Sequence, residues 1–269
     1  MTCWMRLGNF RFPDSQVLFL APIFELPSSY ILITVGGTLL MRELDRTTHP
    51  EGLTQSGEAF ALAIFESGVL KLGGFRLKLH EQYPEAPLSP IYFDFRLLRR
   101  ILEVKQMAVQ AFFELSQGLW FDLLADIPTA ITPIISSLSD RLNVGMITPR
   151  SDGKVHGTGA QVDGLLPDDI GKTALLFDDV VTHAESKLKA AEILRNQGIQ
   201  VTDVLVLVDR EQGGVQELLA HDLRLHSAFS LTQMLDLYVR LRKIDLRQRK
   251  RIGLTLETIQ ELVTRSAEA

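Results

Sequence analysis

Two adjacent carboxylates, Asp178 and Asp179, close an apolar run that begins at Thr173-Ala174 and passes through Leu175, Leu176 and Phe177. A short polar turn follows, Val180-Val181-Thr182-His183-Ala184-Glu185-Ser186. Beyond it, apolar positions recur at Leu188, Ala191, Ile193 and Leu194 until Gly198. The run does not alternate with polar residues, so it reads as a parallel strand covered on both faces. The later spacing reads as a helix stopped by glycine. A strand that ends in acids and turns into a helix places its chemistry at the carboxyl edge of an open sheet, where such sheets bind ligands. The turn's N–H groups and the helix N-terminus favour a phosphate. The carboxylates can accept from sugar hydroxyls or hold a magnesium ion through water.

The elements that must position these groups fit an α/β chain. There are 269 residues, 46% hydrophobic and 23% charged, enough for a full core without staples. A net charge of −5 argues against a nucleic-acid-coating protein. The single cysteine, Cys3, cannot form an internal disulfide, which fits a reducing cytoplasm. The six histidines are scattered and give no metal-ligand spacing. Residues 1–50 read as an extension of uncertain structure, with Met41 an alternative start. Its apolar stretches, Val17–Ala21 and Tyr30–Val35, are separated by Pro22, Glu25 and Pro27, so no spanning helix and no membrane role is expected.

The spacing predicts a helix over 54–66, a strand pair over 69–79, an extended segment over 89–96 and one long helix over 97–117. A buried strand over 120–125, a turn over 126–130 and a helix over 131–142 follow. A strand over 144–148 leads into the polar loop Pro149-Arg150-Ser151-Asp152-Gly153-Lys154-Val155-His156-Gly157. Past the acidic pair come the strand Val204–Asp209, a helix over 216–220, a short strand over 223–228 and a helix from Ser230. The basic stretch Lys243–Arg251 reads as a solvated face, and Thr255 as the cap of a last helix. Gly157-Thr158-Gly159 is not a dinucleotide fingerprint, because Val162 stands where the third glycine would be.

The stretch 175–186 resembles the phosphoribosyl-diphosphate (PRPP) motif of type I phosphoribosyltransferases. The segment Val201–Gly214, with Asp209-Arg210-Glu211-Gln212-Gly213-Gly214, resembles orotate phosphoribosyltransferases more narrowly. The likeness runs in order over about residues 55–240. It implies a parallel Rossmann-like sheet flanked by helices, with a small N-terminal hood: a phosphoribosyltransferase domain over 51–245 and a C-terminal helix over 246–269. It implies transfer of the phosphoribosyl group from PRPP to orotate, with magnesium riding on the diphosphate rather than on a protein cage.

Site residues follow from the same resemblance. Asp178 and Asp179 take the ribose hydroxyls and stabilise positive charge at the anomeric carbon. Val180, Val181, Thr182, His183, Ala184, Glu185 and Ser186 complete the PRPP site. Lys78, Tyr92, Phe93, Thr182 and Arg210 border the base. Arg150, Lys154 and His156 close over the pyrophosphate from a neighbouring subunit, which implies a homodimer sharing the 150–157 loop. No nucleic-acid or membrane partner is implied.

Four residues, at three places, depart from the family pattern. Ser151 replaces a lysine, Asp126 replaces a glycine in the pyrophosphate turn, and Ala184-Glu185 replaces a glycine-containing pair in the phosphate loop. Ala184 adds a Cβ where positive φ would exclude it. A Glu185 carboxylate about 5 Å from a phosphate, at an effective dielectric of about 20, would repel it by roughly 3 kcal/mol. These departures leave open a second reading, a non-catalytic relative that senses a ligand or regulates a partner.

Overall fold

A computed structural model describes residues 53–150 and 161–267, together with the strands β1 (Tyr30–Val35), β2 (Thr38–Glu43) and β3 (Thr47–Thr48). The chain divides into two compact units, residues 1–48 and 49–269. In the first, β1 and β2 pair antiparallel, with Val35 opposite Thr38 at the turn.

The second unit opens with α1 (Gln55–Glu66), whose first turn is closed by Thr54 Oγ1 accepting from Gly57 N–H at 3.1 Å. The hood follows: β4 (Leu70–Phe75) and β5 (Ser89–Phe93) pair antiparallel around a single helical turn, α2 (Leu79–Gln82). The expected strand pair over 69–79 is thus one strand, and its partner is the 89–93 segment. The helix expected over 97–117 is also divided. A 3₁₀ turn spans Phe95–Arg99, and α3 runs Leu102–Ser116. Phe95 and Leu98, three apart, are both buried, a spacing that suits three residues per turn.

In this unit β11 (Arg224–Ser230), β10 (Asp203–Asp209), β9 (Ala174–Val181), β6 (Leu123–Asp126), β7 (Met146–Pro149) and β8 (Val162–Asp163) lie side by side in that order. All neighbours are parallel except β8 on β7. Helices α4 (Thr132–Leu142), α5 (Glu185–Asn196), α6 (Gly214–Leu219), α7 (Leu231–Arg240) and α8 (Leu246–Ala267) complete the unit. The core lies in two layers. Leu175, Phe177, Leu205 and Leu207 pack with α1, α3, α4 and α7, where Phe112 meets Phe177 edge-on at 5.1 Å. Leu176, Val204 and Val206 pack on the other side with Ala190, Ala191 and Leu194 of α5. Both faces are covered, which is why the strands carry no polar alternation. The expected α/β architecture is therefore present.

Two edges differ from expectation. Trp120 is 81% exposed and precedes the strand, which begins only at Leu123. Asp122 turns the chain there by accepting from Thr173 N–H at 2.9 Å. Thr255 lies inside α8 and donates to the Arg251 carbonyl at 2.9 Å. The helix is opened instead by Asp245, which accepts from Gln248 N–H at 2.7 Å while its own N–H donates to Gln248 Oε1 at 2.9 Å. The basic stretch beside it is only partly solvated: Lys243 pairs with Glu66 at 2.7 Å and Arg249 with Asp236 at 2.9 Å.

Candidate active site

Strand β9 carries the acidic pair to the carboxyl edge of the sheet, between β10 and β6. Asp178 is buried and accepts from Lys187 Nζ at 2.6 Å. Lys187, in the first turn of α5, is itself 3% exposed and also donates to the Val180 carbonyl. Its charge keeps a buried carboxylate compensated. Among the described residues Asp179 has no such cation in hydrogen-bond reach, and it stays half-buried. Burial first, then the negative charge of Asp178, push its pKa up to about 7; the more distant Lys187 opposes them. The two acids are thus unequal, one ion-paired and one titrating near neutrality.

The turn after them is held from several sides. Gly214 N–H donates to the Thr182 carbonyl at 3.1 Å. A Cβ on Gly214 would lie 2.4 Å from Val181 Cγ2 and 3.0 Å from Thr182 O, so only glycine permits this approach. Ala184 is fully buried, with φ −85, in the ordinary helical region. Its Cβ is therefore free of the backbone strain that a left-handed residue would carry. Glu185 is exposed, and both of its oxygens lie 3.1 Å from Lys78 Nζ. Among the departures, Asp126 is also turned away from any ligand: it is fully buried and accepts from the hydroxyls of Thr132 and Thr148.

The hood faces the pair. Asp94 accepts from Lys71 at 3.1 Å and from Arg96 Nε at 2.9 Å. Burial alone would raise the Asp94 pKa, but these two cations hold it below the usual range. Arg96 also donates to Tyr92 Oη at 2.6 Å and feels the charge of Asp179 across the cleft. Tyr92 is half-buried beside Phe75, their rings 5.6 Å apart. Phe93 points the other way, into the core, stacked on Phe95 at 5.7 Å.

Arg210 follows β10 and is 7% exposed. Its Nη2 donates to Ser89 Oγ of the hood at 3.2 Å, while its Nε has no partner. No carboxylate pairs with it among the described residues, and burial alone pushes its pKa down to about 10. It lines a cavity of ≈510 Å³ with Gln212, Leu235, Leu256 and Gln260. The side-chain oxygens of Gln212 and Gln260 are likewise without partners. Buried polar atoms in native folds are nearly always satisfied, so the Arg210 Nε–H calls for an acceptor such as a carboxylate, and the two amide oxygens call for donors.

No family model matches the chain. The orotate phosphoribosyltransferase of Caenorhabditis elegans is 33% identical over 175 residues, 64% of this chain and 74% of the relative. That of Sulfolobus acidocaldarius is 30% identical over 195 residues, 72% of this chain and 94% of the relative. The chain belongs to the orotate phosphoribosyltransferase family. In fold, it is similar to the orotate phosphoribosyltransferase structure from Aeropyrum pernix, with a TM-score of 0.59 and 28% identity over 69% of this chain and 99% of that one.

Set on this family frame, the expected residues fall in three groups. Asp178, Asp179 and Thr182 to Ser186 sit together at the β9–α5 junction. Arg210 reaches the hood, and Lys78 spans to Glu185. Arg150 is exposed and pairs with Asp163 at 3.2 Å, whereas Ser151, Lys154 and His156 lie outside the described residues. Sequence reading passed over four contributors: Lys187, Glu217, Ser89 and Arg99. Arg99 donates to the Thr129 carbonyl and so brings a cation to a turn whose own residues offer none. Lys187 follows the motif directly, but nothing in its spacing distinguishes it from an exposed helical lysine.

Proposed function

We infer that the protein transfers the 5-phosphoribosyl group of PRPP to orotate, giving orotidine 5′-monophosphate and pyrophosphate. The observation that carries this reading is Arg210, a buried guanidinium beside the hood without a counter-charge among the described residues. A planar carboxylate is the ligand its two-pronged donor set suits, and orotate brings one. In the reaction the ring nitrogen forms a bond to the anomeric carbon while the bond to the pyrophosphate oxygen breaks, its electron pair leaving with the pyrophosphate. Asp178 and Asp179 hold the ribose hydroxyls and stabilise the positive charge that develops at that carbon. The turn Thr182–Ser186 takes the 5′-phosphate, and Lys78 leaves Glu185 to meet the base.

Magnesium fits as a companion of the diphosphate. Among the described residues no cluster of three or more His, Cys, Asp or Glu could hold a metal ion, whereas two carboxylates plus substrate phosphates is how this ion usually binds. We further propose a homodimer in which loop 150–157 of one subunit covers the other's pyrophosphate. A cytoplasmic setting goes with this chemistry; among the described residues no helix is long and apolar enough to cross a membrane.

The direct test is orotate consumption, followed by absorbance, with PRPP and magnesium; a folded protein that turns over no orotate ends this reading. The acid pair gives a second expectation. The kcat/KM for PRPP falls on the acid side with a midpoint near pH 7, as Asp179 gains its proton and stops accepting from the sugar. Asp179→Asn removes that limb from the pH profile and lowers activity across it.

A further inference from the structure

The phosphate loop already holds an anion of the chain's own. Ala184 N–H donates to Glu217 Oε2 at 2.6 Å, and His183 Nδ1 lies 3.1 Å from Glu217 Oε1. Glu217 comes from α6, which the Gly214–Thr182 hydrogen bond and the bare Cα of Gly214 press against the loop. The helix backbone cannot retreat without breaking that approach. The side chain can: it is 42% exposed and has solvent to turn into.

We propose that Glu217 is an affinity-determining residue, a resident carboxylate that the donor's 5′-phosphate must displace from the loop. One N–H cannot serve a carboxylate and a phosphate oxygen at the same length, and two anions this close repel. A phosphate dianion offers more charge and more acceptor oxygens than a carboxylate, so it wins the exchange. Glu217 therefore lowers the loop's affinity for the phosphate it must admit, through competition for the Ala184 N–H and through repulsion. This inference rests on the PRPP reading of the loop.

The test is equilibrium binding, so that it stands apart from turnover. Titration of the full chain with inorganic phosphate and with PRPP, by calorimetry, compares wild type with Glu217→Gln and Glu217→Ala. Glutamine keeps the shape and removes the charge; alanine removes the contact at a half-exposed helical position, where it is the best helix former. Both variants are expected to bind phosphate and PRPP about fivefold more tightly. In an active enzyme the KM for PRPP falls likewise, with the KM for orotate unchanged. Equal or weaker phosphate binding by the two folded variants overturns the proposal. Absence of orotate turnover in wild type would count against the function and leave this comparison readable.

Discussion

Arg210→Leu lowers kcat/KM for orotate by roughly a hundred- to a thousandfold, about 3–4 kcal/mol, while the protein melts at the same temperature or higher. The two effects have one cause. The guanidinium is buried with a single hydroxyl partner, Ser89, and an Nε that bonds to nothing. An uncompensated buried charge costs a fold several kcal/mol, so leucine relieves the free protein. The same change removes the buried cation that meets the base's carboxylate in a dry setting, where such a pair is strongest. Steady-state titration of orotate and thermal unfolding of the same preparation check both halves. A variant with unaltered orotate dependence would place the base elsewhere, and a large drop in melting temperature would show that Arg210 holds the fold rather than a ligand. Opposed changes in stability and function are common where a site is built at the expense of the core.

Lys187→Met is expected to cost about 3–5 kcal/mol of stability near neutral pH, the usual result of leaving one member of a buried ion pair alone. Asp178 would lose the cation 2.6 Å away, and the Val180 carbonyl would lose the Lys187 donor. The loss depends on pH in a defined sense. The pKa of Asp179 in the fold, about 7, lies above its ordinary value of 3.8. Such a group stabilises the fold below the ordinary value, and that stabilisation disappears as pH rises through the folded one. Removing Lys187 takes away a charge that was lowering the Asp179 pKa, so Asp179 holds its proton to higher pH. The variant is therefore least stable relative to wild type at pH 8, and the difference narrows toward pH 5, where Asp179 is protonated in both proteins. The acid limb of its activity profile moves upward. Denaturant unfolding at the two pH values decides the matter; a penalty that does not change with pH would mean that Lys187 acts through packing alone.

Much of this site was legible in the sequence because it is local. The strand, the two acids, the turn and the helix occupy consecutive residues, and an apolar run without alternation already implies a strand covered on both faces. Arg210 was named through the family resemblance of the segment after the next strand. What resisted reading was orientation. Asp126 and Glu185 look like carboxylates aimed at phosphates. One is instead satisfied by Thr132 and Thr148 inside the fold, and the other turns outward to Lys78. Repulsion between charges depends on where the side chain goes, and a list of residue types does not carry that. Ala184 was misread for a related reason: the turn stays in ordinary backbone space, so a glycine is not needed there. Long-range partners were equally hidden. Glu217 meets Ala184 33 positions away, and Arg210 meets Ser89 121 positions away. The helix expected over 97–117 is divided at Ile101, whose ψ of 82 leaves helical space, so the apolar periodicity continues across a break that it does not reveal.

The turn between β9 and α5 is fastened by Lys187 below, by Gly214 at the side and by the burial of Ala184 within. A recognition element so fixed surrenders little conformational freedom when a guest arrives. Its association is therefore governed by ions and water exchanged at the surface of the cup, not by the ordering of a flexible segment.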